Sequence, residues 1–365
     1  MRRDKVFRFV ILTFAIGAFV GLIGGLAFGG GSGEGTPRLA AGTSDDTQTA
    51  TTDLSADTST VSEPMTPERA EAIGANEMGR FLVLMYHHFG AEEAEWTRTP
   101  ANFRRDLALL KAEGFYPVNV RDLVTGNIDI PAGKTPVVLT FDDSSSGQYR
   151  ILDDGAIDPD CAVAMMQDAV DDGDWASRAS FFCLIDVDSK DREIFGQEEV
   201  RKEKLRNLVD WGYEVGSHTV THLDLGKASE KEAVKQLAQS QSILEGLIGD
   251  GYDVTSLSIP FGSYPESDTI LAAGQHEDIT YAYTAALSLG AVPCPSPFST
   301  EFRPLHIPRI RGSANFITDA IKALKKSPGL RYISDGDPIT ISAPQDLSSE
   351  LGEIPDDLGR KIIRY

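Results

Sequence analysis

Short apolar runs that end in polar residues recur along the chain, and the run at residues 137–141 is the most informative. It contains no charged residue, follows Pro136 and ends directly at Asp142 and Asp143. A continuous apolar run of this length predicts a strand buried on both faces, as in a parallel sheet with helical crossovers. Residues just past the carboxyl ends of such strands line the ligand crevice. Asp142 and Asp143 are therefore candidates for chemistry, although Asp followed by Ser and Gly is also typical of turns.

Strand-like and helix-like segments alternate through the rest of the chain. Strands are predicted near residues 81–86, 179–185, 213–216, 256–259, 279–286 and 305–310. Helices are predicted after Thr99, at 159–170 and 197–211, after Ser229, and at 267–273 and 313–325. This alternation predicts an α/β fold with a parallel sheet, either closed into a barrel or open.

Composition divides the chain into four segments. Residues 1–33 begin with a basic cluster followed by a predominantly apolar stretch long enough to cross a bilayer, which predicts a membrane anchor or a cleaved signal. Basic residues stay on the cytoplasmic side, so we expect a single-pass membrane protein with its folded domain outside the cell, or a secreted protein after cleavage. Residues 34–78 are predicted to be a low-complexity, disordered linker, within which Thr66 and Pro67 indicate a short helix. Residues 79–330 form the predicted main folded domain, and 331–365 a C-terminal extension.

Charge and cysteine content exclude some classes of function. The chain has 365 residues, 34 of them Lys or Arg and 55 Asp or Glu, which gives a net charge of -21. Nucleic acid is not an expected partner, because phosphate contacts need clustered cations. The three cysteines lack the spacing of a zinc cluster and do not indicate a disulfide framework. The sequence gives no prediction of oligomeric state.

The second informative motif is a pair of histidines. His218 and His222 follow a short predicted strand, and histidines four apart on a helical turn project to one side, within reach of one ion. Catalytic zinc sites use three protein ligands, and Asp142 or Asp143 can supply a carboxylate. Neighbouring residues on a strand point to opposite faces, so Asp142 and Asp143 are not expected to act as a matched pair across one bond, as glycosidase carboxylates do. An arrangement with one Asp as metal ligand and the other as base is geometrically easier.

At these motifs the chain resembles the polysaccharide deacetylases of carbohydrate esterase family 4. The resemblance runs from about residue 81 to 325 and rests on the sequences at 140–143, 218–222 and 259–264. It implies an irregular (β/α) barrel of about seven strands. It also implies that Asp142 is the base and that Asp143, His218 and His222 bind a divalent metal, expected to be zinc, with cobalt or nickel as alternatives.

The resemblance further implies the substrate. The implied activity is removal of N- or O-linked acetyl groups from an acetylated polysaccharide that is extracellular or part of the cell wall. The motif residues expected to contact this substrate are Pro260, Phe261, Gly262 and Tyr264.

Two departures from the family pattern concern the residues around the base. The arginine that commonly precedes the Pro-aromatic-Gly motif is absent here, since Leu-Ser-Ile stands at 257–259. Arg309, ahead of Arg311, is predicted to replace it, because a nearby cation keeps a catalytic carboxylate ionised; surface pairing of both arginines is the alternative. The acid that protonates the leaving group is predicted to be His87, ahead of His306.

Two other classes of function remain open. A catalytically inactive relative would bind glycan and release no acetate, whereas a glycosidase would need no metal. The insertion at 144–178 is longer than a simple crossover and leaves open how substrate reaches the site.

Overall fold

The computed structural model describes residues 64–170 and 175–365. The predicted anchor at 1–33 and most of the predicted linker lie outside these ranges, so both stay predictions. None of the helices in the described ranges has the length and apolarity needed to cross a membrane.

Helices and strands alternate along the described part of the chain. The helices are α1 Pro67–Ile73, α2 Pro100–Ala112, α3 Val120–Thr125, α4 Ala162–Asp168, α5 Arg201–Asp210, α6 Glu230–Ile248, α7 Asp268–Ala272 and α8 Ala314–Lys326. The strands are β1 Leu82–Tyr86, β2 His88–Phe89, β3 Thr97–Arg98, β4 Phe115–Val118, β5 Thr135–Phe141, β6 Ser180–Cys183, β7 Glu214–Ser217, β8 Ser256–Ser258, β9 Ala273–His276, β10 Ile279–Ala282, β11 Ala285–Leu287, β12 Ile310–Arg311, β13 Thr340–Ala343 and β14 Lys361–Arg364.

The main sheet is parallel throughout and has the order β11-β8-β7-β6-β5-β1-β12. Strand β5 is central: β1 pairs along one side, while β4 and then β6 pair along the other. A single parallel bridge joins Leu287 of β11 to Ile307, just before β12, so the sheet curls toward closure as a half-barrel. The predicted α/β class is confirmed, with an open half-barrel in place of a closed barrel.

Burial on both faces of the sheet explains why its strands are continuous apolar runs. Leu84 and Leu139 face the helices in the larger hydrophobic cluster. Val83 and Val138, their immediate neighbours, belong to a second cluster that includes Ile341 from the C-terminal residues. Because successive side chains on a strand point to opposite faces, both alternating sets must be apolar here.

Two of the predicted strands take a different form. The run at 279–286 divides into β10, which pairs antiparallel with β9, and β11, which joins the main sheet. The run at 305–310 starts as the 3₁₀ turn Pro304–His306, and only its end becomes β12. Pro304 and Pro308 lack the N–H that a strand ladder requires, which shortens this strand.

The folded part of the chain begins earlier than the predicted boundary at residue 79, so the predicted linker was too long at this end. Helix α1 forms as the Thr66 and Pro67 signal indicated, with the Arg69 N–H donating to Thr66 Oγ1. Met65 and Ala70 are buried against Ile363 of the last strand. Composition alone could not reveal this, because the partner surface lies at the other end of the chain.

A buried acid joins the same two ends. The Glu77 carboxyl group accepts hydrogen bonds from the Ser342 N–H at 2.8 Å and from the Tyr332 hydroxyl at 3.2 Å. Burial, with a further contribution from Asp335, raises the pKa of Glu77 from its ordinary value of 4.5 to about 8. Glu77 is therefore held in its neutral form within the folded protein at neutral pH.

This neutral acid predicts a pH-dependent stability. Between about pH 4.5 and 8 the unfolded chain releases the Glu77 proton and the folded chain keeps it, so stability falls as pH rises, by roughly 1.4 kcal/mol per pH unit. Glu77→Gln removes this titration. We expect the denaturation midpoint of the wild type to fall relative to that of Glu77→Gln between pH 5 and 8, measured by urea unfolding. Exposed Glu71→Gln on α1 is the matched control; parallel curves for wild type and Glu77→Gln would contradict the prediction.

Candidate active site

The carboxyl ends of the sheet strands surround a cavity of about 610 Å³. Its wall includes most of the residues singled out from the sequence: His87, Asp142, Asp143, His218, His222, Phe261 and Arg309. These residues come from five segments that are distant in sequence. The parallel sheet brings them together because the carboxyl ends of its strands meet at one edge.

Asp143, His218 and His222 form a cluster that fits one metal ion. The Nε2 atoms of both histidines lie 3.6 Å from Asp143 Oδ1. One potential ligand atom from each of the three residues lies within 4.8 Å of the others. Two ligand atoms of a tetrahedral zinc ion, each ~2.1 Å from it, would lie about 3.4 Å apart. The observed spacing therefore suits a divalent ion.

The protonation states of the two histidines also suit a divalent ion at this cluster. His218 Nδ1 lies 2.8 Å from the Ser258 carbonyl oxygen, so in the neutral ring Nδ1 donates and the Nε2 lone pair faces Asp143. Burial lowers the pKa of His222 to about 4, and this ring is neutral at pH 7. Burial also opposes charge on His218, but Asp142 and Asp143 outweigh it and raise its pKa. The two carboxylates thus favour a positive charge at this position, either a proton or a metal ion.

The histidine pair lies on an irregular turn, and the expectation of a helical turn was wrong. Thr219 and His222 adopt left-handed backbone conformations, with φ of 68° and 58°. Gln236 of α6 holds the turn, since its Oε1 accepts from the N–H groups of Val220 and Thr221 at 3.0 Å each. The two histidine side chains therefore converge because the backbone between them is bent and held in place. Sequence periodicity does not encode such bends.

Asp142 is held by a buried network that includes the predicted arginine. Arg309 is 0% exposed, and its Nη1 donates to Asp142 Oδ1 at 2.8 Å. The Ser258 hydroxyl donates to Asp142 Oδ2 at 2.9 Å and accepts from Arg309 Nη2 at 3.0 Å. Arg309 thus lies next to Asp142, where a replacement arginine was expected, and surface pairing does not occur.

Both neighbouring acids are ionised. Burial alone would raise the pKa of Asp142, but Arg309 and the histidines lower it to about 2. For Asp143, burial acts in the same direction and is outweighed by His218 and Arg192, among others, so its pKa lies well below its usual range. Asp142 is accordingly a carboxylate whose orientation is fixed by Arg309 and Ser258.

His87 and His306, the two candidates for the acid, occupy different places. His87 Nε2 lies 3.9 Å from Asp142 Oδ2, and its ring packs 4.7 Å from the ring of Trp96. Burial lowers the pKa of His87 to about 4, so it is neutral at pH 7. His306 does not line the cavity: its Nε2 contacts Asp268 at 2.8 Å, and its ring stacks on Tyr264. Of the two candidates, only His87 lies in the cavity beside Asp142.

Only one residue of the predicted substrate motif lines the cavity. Phe261 is 60% exposed and its ring lies 4.4 Å from that of His222, with a left-handed φ of 58°. Pro260 is buried, and Gly262 lies against Leu289, since an added Cβ would come within 2.8 Å of it. Tyr264 stacks on His306 outside the cavity wall. These three residues shape the loop that presents Phe261.

Sequence reasoning missed two cationic or titratable neighbours of Asp143. Arg192 Nη2 donates to Asp143 Oδ1 at 2.6 Å, and His88 Nε2 lies 3.5 Å from Asp143 Oδ2. His88 stands beside His87 in the sequence and was visible there. Arg192 belongs to the charged segment after β6, where no local pattern distinguishes it from a solvated surface residue.

Comparison with known proteins gives partial matches. A stretch of 95 residues is 36% identical to a gellan lyase from Bacillus sp, covering 26% of this chain and 3% of the length of that lyase. Among solved structures, a polysaccharide deacetylase from Bacillus cereus is 22% identical with a TM-score of 0.49, covering 66% of this chain and 69% of that chain. A Streptococcus pyogenes deacetylase in complex with acetate is 19% identical with a TM-score of 0.47, covering 66% of this chain and 98% of that chain.

The comparison with protein families is more specific. Residues 129–281 match the model of the polysaccharide deacetylase family. This segment includes Asp142, Asp143, His218 and His222, while His87 and Arg309 lie outside it. Through residues 129–281, the chain carries a domain of the polysaccharide deacetylase family.

Proposed function

We propose that this protein is a metal-dependent hydrolase that removes N- or O-linked acetyl groups from an extracellular or cell-wall polysaccharide. The observation that carries the proposal is the combination of three metal-type ligands with a separately held carboxylate in one cavity. Asp143, His218 and His222 converge on one point, while Asp142 is fixed by Arg309 beside them. A site at the cell surface is part of the proposal and rests on the sequence of residues 1–33.

Asp143, His218 and His222 would hold the divalent ion, with zinc as the first candidate. When bound, such an ion polarises the acetyl carbonyl group and makes water at the site more acidic. The three side chains come from connections after β5 and β7, and they leave the cavity side of the cluster open to substrate. An open position of this kind is typical of catalytic rather than structural metal sites.

Asp142 would accept the proton of the attacking water. The Arg309 guanidinium and the Ser258 hydroxyl occupy defined sides of the carboxylate and fix its direction. A carboxylate that does not reorient during the reaction is a better catalyst, because the cost of orientation is met in folding. Attack of water on the acetyl carbon then breaks the bond to the sugar nitrogen or oxygen and releases acetate.

His87 would carry the proton to the leaving group. It is neutral at rest and lies 3.9 Å from Asp142 Oδ2, so it can take up a proton released during attack. The resulting imidazolium is a stronger acid than water and can protonate the leaving amine or alkoxide. Trp96 packs against its ring and limits its rotation.

Phe261 would bind the sugar next to the reacting acetyl group. Its ring is exposed at the cavity wall, with Leu289 beside the same loop. Exposed aromatic and aliphatic side chains can cover the apolar face of a sugar ring. A small number of polar groups is then enough to fix the orientation of the sugar. The cavity volume of about 610 Å³ lies within the range for small-ligand sites and opens to solvent, which suits one unit of a polymer.

The first prediction concerns the reaction itself. Incubated with a panel of acetylated glycans, the zinc-loaded protein should release acetate, and excess chelator should abolish the release. Readdition of zinc or cobalt should restore it. Acetate is measured by a coupled enzymatic assay. Glycan binding without acetate release would favour a non-catalytic relative, and cleavage of the chain that survives chelation would favour a glycosidase.

The second prediction concerns the metal ligands. His218→Ala and His222→Ala should each lose stoichiometric metal, measured by elemental analysis after dialysis, because two ligands hold zinc much less tightly than three. His276→Ala, on β9 and outside the cavity, is the matched histidine control and should keep its metal. Retention of metal by both cavity variants would place the ion elsewhere.

The third prediction separates the two candidate acids. His87→Ala should lower kcat by about 10² or more with metal content unchanged, which is typical of the loss of a general acid or base. His306→Ala should keep kcat within a few-fold of wild type, because its contacts are with Asp268 and Tyr264 outside the cavity. The two variants are compared by initial rates of acetate release. Equal losses in both would show that the cavity geometry does not identify the acid.

A further inference from the structure

Arg192 places a positive charge directly on the proposed metal-binding carboxylate. Its Nη2 lies 2.6 Å from Asp143 Oδ1, whereas the two histidine Nε2 atoms lie 3.6 Å from the same oxygen. The shortest contact of this oxygen within the cluster is therefore with an arginine of the chain itself.

The backbone that carries Arg192 is fastened to the turn that follows Asp143. The Ser144 hydroxyl donates to the Arg192 carbonyl oxygen at 2.9 Å, and the Ser146 N–H donates to the Asp191 carbonyl oxygen at 3.1 Å. The Phe195 N–H donates to the Ser144 carbonyl oxygen at 2.8 Å. This hydrogen-bond network fixes the backbone of Arg192 relative to the turn after Asp143, and so places the arginine next to that carboxylate.

The guanidinium itself is held less firmly than its backbone. The Arg192 side chain is 27% exposed at the cavity wall, and its Nε has no hydrogen-bond partner among the described residues. Arg309 differs, since it is fully buried and its three guanidinium nitrogens contact four partners. Among the described residues, the Arg192 guanidinium can therefore leave Asp143 without breaking another hydrogen bond of its side chain.

We propose that Arg192 is an internal cation that competes with the divalent ion for Asp143 and so weakens metal binding. The inference rests on the metal site of the proposed function. A divalent ion held by Asp143 and the two histidines must use Oδ1 or an oxygen adjacent to it, and there it meets the positive guanidinium. Binding then requires that Arg192 be displaced or that the two like charges be tolerated in a partly buried site. Either cost lowers affinity.

Direct metal binding tests this role without an activity assay. Zinc affinity of the full-length metal-free protein is measured by competition with a chromophoric chelator, for the wild type, Arg192→Gln, Arg192→Ala and Arg192→Lys. Removal of the charge should tighten zinc binding by about tenfold, because the repulsion between the guanidinium and the divalent ion is then lost. Arg192→Lys keeps the charge and should bind zinc close to the wild-type level.

Arg311→Gln is the matched control. Arg311 also lies near the cavity mouth but pairs with Glu95 and packs on Trp96, away from the ligands, so its loss should leave zinc affinity unchanged. Unchanged or weaker binding by both Arg192→Gln and Arg192→Ala, with stoichiometric zinc in the wild type, overturns the role of Arg192 alone. An equal gain in Arg311→Gln overturns it as well, because the effect would then be one of net charge. Absence of zinc from the wild type and from every variant overturns the metal site and this inference together.

Discussion

The buried ion pair between Arg309 and Asp142 is the interaction on which the arrangement of the site depends. Arg309 immediately precedes β12 and contacts Thr140 of β5, Ser258 of β8 and the Ser288 carbonyl oxygen after β11. One side chain thus links strands from both ends of the half-barrel. Because a buried charge that loses its partner is strongly destabilising, the pair fixes the curvature of the sheet together with the direction of the carboxylate.

Strained backbone surrounds the same point. Asp143, Thr219, His222 and Phe261 all have positive φ, which costs free energy at residues other than glycine. Each lies directly after a strand or in the loop that follows one, and hydrogen bonds such as those of Gln236 maintain the bends. The rigid strands therefore supply the positions of the side chains, and the strained turns supply their directions.

The two adjacent acids differ because their arginines differ. Asp142 meets Arg309, which is fully buried and fixed by other hydrogen bonds. Asp143 meets Arg192, which lies at the cavity wall on a segment of its own. The first acid is confined to one orientation, whereas the second faces two imidazoles and a replaceable cation. This asymmetry is consistent with a base at Asp142 and a metal ligand at Asp143, as proposed.

The sequence by itself determined the parallel α/β class and the carboxylate and histidine motifs, because apolar runs and short motifs are local properties of the chain. It also narrowed the replacement for the arginine missing at 257–259 to Arg309 or Arg311, and the structure places Arg309 at Asp142. Only the tertiary structure decided which histidine reaches Asp142, since His87 and His306 both stand beside apolar runs and differ only in where the chain folds them. Arg192 and the early start of the fold at α1 depend on contacts with sequence-distant residues, and such contacts leave no periodic trace in the sequence.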